Sequence, residues 1–383
     1  MKKKIRLFKP AVGKPELNAI KRVFKNSWLG YGNEVKKFEK EWEKYFNIKH
    51  AVAVNSCTAA LHTCLAVNNF KRNKKVLVPS ITFSATAASV LYCGLIPVFV
   101  DINPNNLNIS FDDLKKKYSK DCVAIMIVHF GGEPCEMDKI IPWAKQKKLV
   151  VIEDCAETCG GTFKGKKLGT WGDYGCFSFE EKKIMTTGDG GMICTNKTKM
   201  LKNLQSFSFH GWDKDPYLRF KKSLSNKKNY HHWDYDIKNI GYKYNMNDLT
   251  ASIGREQLKK IKWLNSTRKI LIKTYLETII DLKNIKPTFE YNLKDSSYWM
   301  MSIRCKKRDK LIDFLKSKKI STSVHLKPLT DLKVYKKYKS EVPNALKVWP
   351  ELVTLPLYPE LKLSEVRFIL KKLFEFDKNY EKY

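Results

Sequence analysis

Acidic residues are scarce in this chain of 383 residues, which contains 39 Asp and Glu against 72 Lys and Arg and has a formal net charge of +33. Such an excess is typical of proteins that bind nucleic acid. The basic residues nevertheless occur in scattered pairs and triples, such as residues 2–4 and 115–117, and not in one long block with interleaved aromatics. We therefore predict a solvated basic surface, able to steer an anionic substrate, and no nucleic-acid partner.

Long apolar runs are also missing. No window of the sequence reaches the roughly 18 apolar residues that a membrane-spanning helix requires. The basic N-terminus continues into Leu-Phe-Lys-Pro at residues 7–10 and not into a long apolar stretch, which is atypical of a signal peptide. We therefore expect no membrane partner and a cytoplasmic location.

Metal-ligand patterns are absent as well. The ten cysteines include no Cys-x-x-Cys pair with zinc spacing, and most of them lie among apolar or small residues. This distribution predicts buried free thiols in a reducing compartment and no bound metal. His129 ends an apolar stretch, where a structural role is favoured over catalysis.

Short apolar strands alternate with helical stretches in the first three-fifths of the chain. This alternation predicts a mostly parallel sheet covered by helices on both faces, with ligands bound beyond the carboxyl ends of the strands. The expected strands are residues 51–54, 75–79, 97–101, 122–129 and 149–153, and the expected helices are residues 58–67, 81–92 and 137–147.

The pattern changes in the last part of the chain. Residues 213–229 are polar and rich in Lys and Asn, which indicates a long exposed loop, and residues 251–276 have the helical period of a hinge helix. The remainder predicts a small α+β domain. Its expected strands are residues 298–305 and 321–325, and its expected helices are residues 308–318 and 364–374.

Asp154 ends the apolar segment 150–154. An acid at the carboxyl end of a buried strand is costly unless it is paired. Beside a pyridine nitrogen, however, a carboxylate keeps that nitrogen protonated and makes the ring an electron sink. A helix N-cap or a loop acid also fits this position, and the segment alone does not decide between them.

Residues 177–192 combine a hydroxyl at Ser178, the adjacent Lys182 and Lys183, and a glycine-rich turn. A buried lysine beside a cationic ring is a candidate nucleophile, and the turn lets the backbone approach a bulky group. A surface turn with two solvated lysines fits equally well.

Residues 55–61 lie between an expected strand and an expected helix. Small residues and backbone N–H groups at a helix N-terminus form an anion-binding site. An ordinary N-cap by Ser56 or Thr58 also explains this segment.

Taken together, these segments resemble the DegT/DnrJ/EryC1/StrS family of nucleotide-sugar aminotransferases over almost the whole chain. The resemblance implies an α/β chain with the aspartate-aminotransferase-like fold, which is the type I fold of pyridoxal phosphate enzymes. A large domain, residues 1–255, would contain a mostly parallel seven-stranded sheet, and residues 256–383 would form a small α+β domain. The similar segments are residues 27–39, 79–86, 97–101, 153–157, 178–191, 241–248, 322–325 and 355–359.

The resemblance also implies how a pyridoxal 5′-phosphate cofactor is held. Lys183, which follows Ser178 at the family's spacing, would be the catalytic lysine that binds the cofactor covalently. Asp154 would hold the pyridine nitrogen, Phe83 would stack on the ring, and Glu157 would lie near the 3′-oxygen.

The phosphate and the substrate would contact further residues, again by resemblance. Cys57, Thr58 and Ser178 would bind the phosphate together with Asn245 of a second subunit, which implies a homodimer with shared active sites. The residues expected on the sugar side are Tyr31, Lys243 and His325.

The implied reaction transfers the amino group of glutamate to a keto-deoxysugar linked to a nucleotide diphosphate, at C4 or C3, for surface polysaccharide or glycan biosynthesis. Pyridoxamine 5′-phosphate would link the two half-reactions. The chain departs from common family residues at Glu180, Glu181 and Asp189, so the resemblance does not identify the sugar.

Two other functions fit part of the sequence. One is a sugar dehydratase of the same family, a branch that typically has histidine where Lys183 stands. The other is a non-catalytic regulator or nucleic-acid binder on this fold, which the net charge of +33 motivates. The combination of Lys183, Asp154 and Ser178 favours the aminotransferase over both.

Overall fold

The structure is a computed structural model that describes residues 4–215, 217–219, 233 and 235–383. Most of the predicted loop 213–229 lies outside the described residues. The helices are α1 (Lys14–Lys25), α2 (Asn33–Phe46), α3 (Cys57–Ala66), α4 (Ser84–Tyr92), α5 (Phe111–Lys117), α6 (Met137–Gln146), α7 (Leu201–Phe207), α8 (Asp248–Ile279), α9 (Arg308–Ser317), α10 (Pro343–Val348) and α11 (Leu363–Lys378).

A seven-stranded sheet forms the centre of the fold, with strand order β1-β9-β8-β5-β4-β2-β3. Only the pairs that involve β9 are antiparallel, so the predicted mostly parallel sheet is confirmed. Its strands are β1 (His50–Val54), β2 (Lys75–Pro79), β3 (Ile96–Val100), β4 (Cys122–Val128), β5 (Val150–Asp154), β8 (Tyr174–Ser178) and β9 (Gly191–Thr195), and a separate hairpin consists of β6 (Thr162–Phe163) and β7 (Lys166–Lys167).

Both faces of the central sheet are buried, as the apolar strands predict. In β4, Ala124 and Met126 belong to one apolar core, whereas Ile125 and Ile127 belong to the core on the opposite face. This division follows from the alternation of side chains along a strand. Because β1, β5 and β8 run in the same direction, their carboxyl ends meet at one edge of the sheet.

The predicted helix 81–92 begins three residues late, at Ser84. The backbone N–H of Ser80 donates to the Val100 carbonyl at 2.9 Å, so the chain continues the extended path of β2 beyond its last residue. Phe83 is the N-cap, with the extended backbone of a residue outside the helix. Its side chain is therefore carried on a loop at the carboxyl edge of the sheet.

The C-terminal part contains an antiparallel sheet of β10 (Ile285–Pro287), β11 (Met301–Cys305) and β12 (Leu352–Leu355). The N-terminal segment packs here too, since Ile5 pairs with Ile320 and the Leu7 carbonyl accepts a 3.1 Å hydrogen bond from Leu357. The proposed boundary at 255/256 falls inside α8, which is continuous from residue 248 to residue 279, so the division remains a prediction.

One predicted strand is wrong. Residues 321–325 form no strand and make only a single bridge, between Ser323 and Thr354. The chain leaves the sheet edge after this bridge, and the backbone N–H of Leu329 already bonds the Ser80 carbonyl beside β2. The turn away from the ladder is what brings His325 to the central sheet.

All ten cysteines are free and all except Cys93 are buried, which confirms the predicted thiols. Among the residues that the structure describes, no helix is both long enough and apolar enough to cross a membrane.

Candidate active site

A cavity of about 350 Å³ lies at the carboxyl edge of the central sheet. Loops that follow β1, β2, β5 and β8 supply most of its wall, and the segment before β11 and the chain near residue 325 close it. The predicted residues that line it are Cys57, Thr58, Phe83, Asp154, Glu157, Ser178, Lys183 and His325.

The Asp154 carboxylate is buried at the end of β5 and is held by three donors. It accepts hydrogen bonds from the Thr86 hydroxyl at 2.9 Å and from the Ala156 backbone at 3.1 Å, and the Cys57 thiol lies at 3.8 Å. Burial raises the pKa of Asp154, and the hydrogen bonds and the nearby Lys183 counteract that rise. A cationic ring nitrogen in the cavity would restore the missing charge partner.

Lys183 lies in the loop after β8. The loop is closed by hydrogen bonds from Lys183 N–H to the Glu180 carbonyl and from Thr187 N–H to the Phe179 carbonyl, both 2.9 Å long. The Lys183 Nζ lies 4.1 Å from the centre of the Trp299 ring. The loop therefore delivers a primary amine into the same cavity as the Asp154 carboxylate.

The N-terminus of α3 forms another part of the cavity wall. Ser56 is its N-cap and accepts a 3.1 Å hydrogen bond from Ala59 N–H, as one of the two interpretations of this segment predicted. Thr58 and Ser178 add hydroxyls to the cavity wall beside this helix end. Gly191 permits the arrangement, because a Cβ there would lie 2.6 Å from the Ser56 backbone.

Glu157 and Phe83 contribute an acid and an aromatic face. The buried Glu157 carboxylate accepts a 2.6 Å hydrogen bond from Gly131 N–H, and burial raises its pKa. The Phe83 side chain is 61% exposed although it lines the cavity, so its ring is available to a planar ligand.

His325 is an uncharged hydrogen-bonding group in the cavity wall. Its Nδ1 lies 2.9 Å from the Thr354 hydroxyl. Burial, together with the positive charges of Lys183 and Lys182, lowers the pKa of His325 to about 4. The ring is therefore neutral at physiological pH.

Tyr31, Lys243 and Asn245 do not line this cavity within the single chain. Tyr31 and Asn245 line a second cavity of about 200 Å³, and the Lys243 Nζ lies 4.4 Å from the centre of the Phe209 ring. Asn245 still lies near the predicted phosphate site, because it bridges to Val54 at the end of β1. The roles expected for these three residues remain predictions.

Glu153 and His129, next to the site, form a structural cluster. Cys135 N–H donates to His129 Nδ1 at 3.2 Å, which leaves Nε2–H to donate to Glu153 at 3.1 Å. Glu153 also accepts hydrogen bonds of 2.7–2.8 Å from the N–H groups of residues 169, 171 and 172. The Cys155 Sγ lies within 4.8 Å of the His129 and Glu153 ligand atoms, a spacing that a metal ion could bridge. The His129 and Glu153 side chains are, however, already engaged in hydrogen bonds that hold the backbone.

Three further residues at the site carry no recognisable functional signal in the sequence. Thr86 bonds Asp154, Trp299 contacts Lys183, and Phe8 stacks on Trp299 with ring centres 5.0 Å apart. Thr86 belongs to one of the segments similar to the family, but nothing local in the sequence links it to Asp154, or links Trp299 or Phe8 to a lysine more than a hundred positions away.

The lining fits pyridoxal phosphate. A buried acid suits the pyridine nitrogen, an exposed aromatic face suits the ring, and a lysine amine suits the aldehyde. The hydroxyls and the N-terminus of α3 suit the phosphate, since free N–H groups and the helix dipole favour anions there.

Known proteins are similar to this chain in sequence and in fold. The family model described as "DegT/DnrJ/EryC1/StrS aminotransferase family" matches residues 10–374. The spore coat polysaccharide biosynthesis protein SpsC of Bacillus subtilis is 33% identical over 373 residues, which are 94% of each chain. The GDP-perosamine synthase of Escherichia coli O157:H7 is 31% identical over 383 residues, which are 98% of this chain and 99% of that protein.

A solved structure has the same fold. The putative sugar aminotransferase Spr1654 of Streptococcus pneumoniae, in its pyridoxamine phosphate form, superposes with a TM-score of 0.90 over 98% of this chain and 99% of its own, at 27% identity. Spr1654 is also known in a pyridoxal phosphate form. The predicted type I fold, the pyridoxal phosphate cofactor and the sugar aminotransferase class are thereby confirmed, and the chain belongs to the DegT/DnrJ/EryC1/StrS aminotransferase family.

Proposed function

We propose that this aminotransferase moves the amino group of glutamate to the C4 or C3 ketone of a deoxysugar linked to a nucleotide diphosphate. The observation that carries the proposal is the meeting of the Lys183 amine and the buried Asp154 carboxylate in one open cavity. The name of the GDP-perosamine synthase relative supports a nucleotide-linked sugar, and that of SpsC supports a place in polysaccharide synthesis.

Pyridoxal phosphate, when bound, supplies a carbon that reacts with amines and a ring that accepts electron density. Asp154 binds the pyridine nitrogen and keeps it protonated. Thr86 and Ala156 orient the carboxylate, because both donate hydrogen bonds to it.

Lys183 acts as both base and acid. Its Nζ takes the proton from the α-carbon of glutamate and then, as an acid, delivers a proton to the cofactor carbon that reacts with amines. In the half-reaction with the sugar, Lys183 moves protons in the opposite direction. Since His325 is neutral, it acts as a hydrogen-bonding group toward substrate and not as a competing charged acid. The basic surface raises the local concentration of an anionic nucleotide sugar.

A homodimer completes the site in this proposal, with Asn245, Tyr31 and Lys243 acting on the neighbouring subunit's cavity. Two observations support it. The buried Oδ1 of Asn245 has no hydrogen-bond partner among the described residues, so this amide is not fully engaged within its own chain. Nearby on the chain, three large apolar side chains are exposed in the single chain, those of Ile237, Ile240 and Tyr242, and contact with a second subunit would remove them from water.

A substrate screen tests the proposal. The protein is incubated with glutamate and with 4-keto and 3-keto deoxyhexoses carrying UDP, dTDP or GDP, and 2-oxoglutarate and aminosugar are quantified. We expect turnover with at least one nucleotide-linked sugar, and a value of kcat/KM at least about tenfold lower when the nucleotide is removed, because remote binding energy is lost.

The other two functions predict different results, one in the products of this screen and one in a separate DNA-binding measurement. Loss of a sugar hydroxyl without amine transfer would identify a dehydratase. Salt-dependent retention on DNA with no bound cofactor would identify a nucleic-acid binder.

A further inference from the structure

Trp299, beside the C-terminal sheet, contacts the loop after β8 that contains Lys183. It lies just before β11, and its backbone N–H donates a 3.0 Å hydrogen bond to the carbonyl of Gly131, beyond the end of β4. Its side chain is only 5% exposed. The residue is thus fixed at both its backbone and its side chain, at the point where two parts of the fold meet.

The indole makes two contacts with the segment that carries the predicted catalytic amine. Its Nε1–H donates a 2.7 Å hydrogen bond to the Lys182 carbonyl, and its ring centre lies 4.1 Å from the Lys183 Nζ. Within the described part of the chain, no hydrogen bond or salt bridge of this Nζ is found. Among the hydrogen bonds, salt bridges and ring contacts of the described residues, the contact with the Trp299 ring is therefore the one that this Nζ makes.

The plane of the indole is itself held in place. Phe8 stacks on it with an interplanar angle of 6°, and the His325 ring meets it edge-on at 5.1 Å. An aromatic ring held in one plane presents its electron-rich face in one direction, which favours one position of a nearby ammonium group.

We propose that Trp299 is a positioning residue that orients the Lys183 amine, through the hydrogen bond to Lys182 and the contact of its ring with Nζ. This inference rests on the proposed function only in taking Lys183 as the catalytic lysine. A buried indole that merely filled the core would also need a partner for its Nε1–H, but it would not need the contact of its ring with the Lys183 Nζ.

Trp171 offers a matched control. Its indole donates a 3.3 Å hydrogen bond to the carbonyl of Lys166, and the Lys166 Nζ lies 4.8 Å from its ring centre. The same two kinds of contact therefore occur outside the cavity. Trp171→Phe changes them without touching the proposed site.

The first readout uses the cofactor-free protein. Wild type, Trp299→Leu, Trp299→Phe and Trp171→Phe are treated briefly with acetic anhydride, and the ratio of acetylation at Lys183 to that at Lys182 is measured by tandem mass spectrometry. We expect Trp299→Leu to raise this ratio by about twofold to thirtyfold, the factor for losing a cation–π contact. Trp299→Phe should give a smaller rise, and Trp171→Phe none.

The second readout is the visible circular dichroism per mole of bound pyridoxal phosphate, which depends on how rigidly the attached group is held. It should fall in Trp299→Leu, fall less in Trp299→Phe and stay unchanged in Trp171→Phe. If the Leu variant does not fold, the Phe variant decides.

The two possible failures are distinct. If borohydride reduction shows no pyridoxal phosphate attached to wild-type Lys183, the proposed function and the role of Trp299 both fall. If the cofactor is attached there but the Trp299 variants match wild type in acetylation ratio and dichroism, only the positioning role is overturned.

Discussion

The Thr86 hydroxyl donates a 2.9 Å hydrogen bond to the Asp154 carboxylate, although 68 positions separate the two residues in the sequence. Thr86 in turn lies 2.8 Å from the Thr82 hydroxyl. Because the Thr86 proton is directed at Asp154, Thr82 is the donor in this second bond. Two hydroxyls on and before α4 thus stabilise the ionised form of a buried acid.

Thr86→Val removes the donor with little change of volume. The pKa of Asp154 should rise further, since this hydrogen bond lowers it, and the acid limb of the pH–rate profile should move to higher pH. A hydrogen bond to a charged group contributes about 1.5–3 kcal/mol, so kcat/KM should fall roughly 10- to 100-fold. Thr86→Ser restores the donor and should recover most of the rate. Equal profiles for Val and wild type would contradict the assignment.

Glu153→Gln should destabilise the protein, although Glu153 is adjacent to Asp154. The substitution places an amide NH₂ among N–H donors that now bond a buried carboxylate. The expected loss in the free energy of unfolding is about 3 kcal/mol or more. Denaturant titration measures it, and Glu375→Gln on the surface serves as a control that should change stability little. A stable, inactive Glu153→Gln protein would instead indicate a direct catalytic role.

Glu39 of α2 should make the free energy of unfolding of the cofactor-free protein depend on pH. Burial raises the pKa of Glu39 to about 7, from an ordinary value of 4.5. A raised pKa contributes stability that is full below 4.5 and is lost as the pH rises through 7, a change of up to about 3 kcal/mol.

Glu39→Gln isolates this effect, because its amide oxygen can still accept the 3.0 Å hydrogen bond from Ala53 N–H. Unfolding is measured at pH 5 and pH 8. The loss of stability between these values should be smaller in the variant than in wild type, and an identical loss in both proteins would refute the role of Glu39.

His325 should remain neutral down to about pH 5, because its pKa is lowered to about 4. In histidine-labelled protein, the NMR signal that disappears in His325→Gln should not titrate between pH 8 and pH 5. A midpoint near 6.5, the ordinary value for histidine, would show that the ring is solvated and charged there.

The central sheet could be predicted because its strands are apolar on both faces and separated by helical periods. The bounds of β2 match the prediction, and Asp154 and Lys183 were identified from local patterns combined with the family resemblance. The strand expected at residues 321–325 did not form because the chain pairs with β12 only at Ser323 and then turns toward β2, and local sequence carries no signal for where such pairing stops. The contacts of Thr86 with Asp154 and of Trp299 with Lys183 could not be predicted, because they join residues far apart in the sequence that only the fold brings together.

The positions of Tyr31, Lys243 and Asn245 show a further limit. They lie away from the Lys183 cavity of their own chain, so their proposed roles depend on a second copy. Local sequence carries no signal for such a geometry. The resemblance to the family supplied it for Asn245.

The most direct test of the central claim is the absorbance spectrum of the protein with pyridoxal phosphate, recorded before and after excess glutamate, for wild type and Lys183→Ala. In wild type we expect the spectrum of bound pyridoxal phosphate to convert to that of pyridoxamine phosphate, with release of one 2-oxoglutarate per site and no sugar present. Lys183→Ala should not turn over. Normal conversion in Lys183→Ala, or no bound pyridoxal phosphate in wild type, would contradict the assignment of Lys183 as the catalytic lysine.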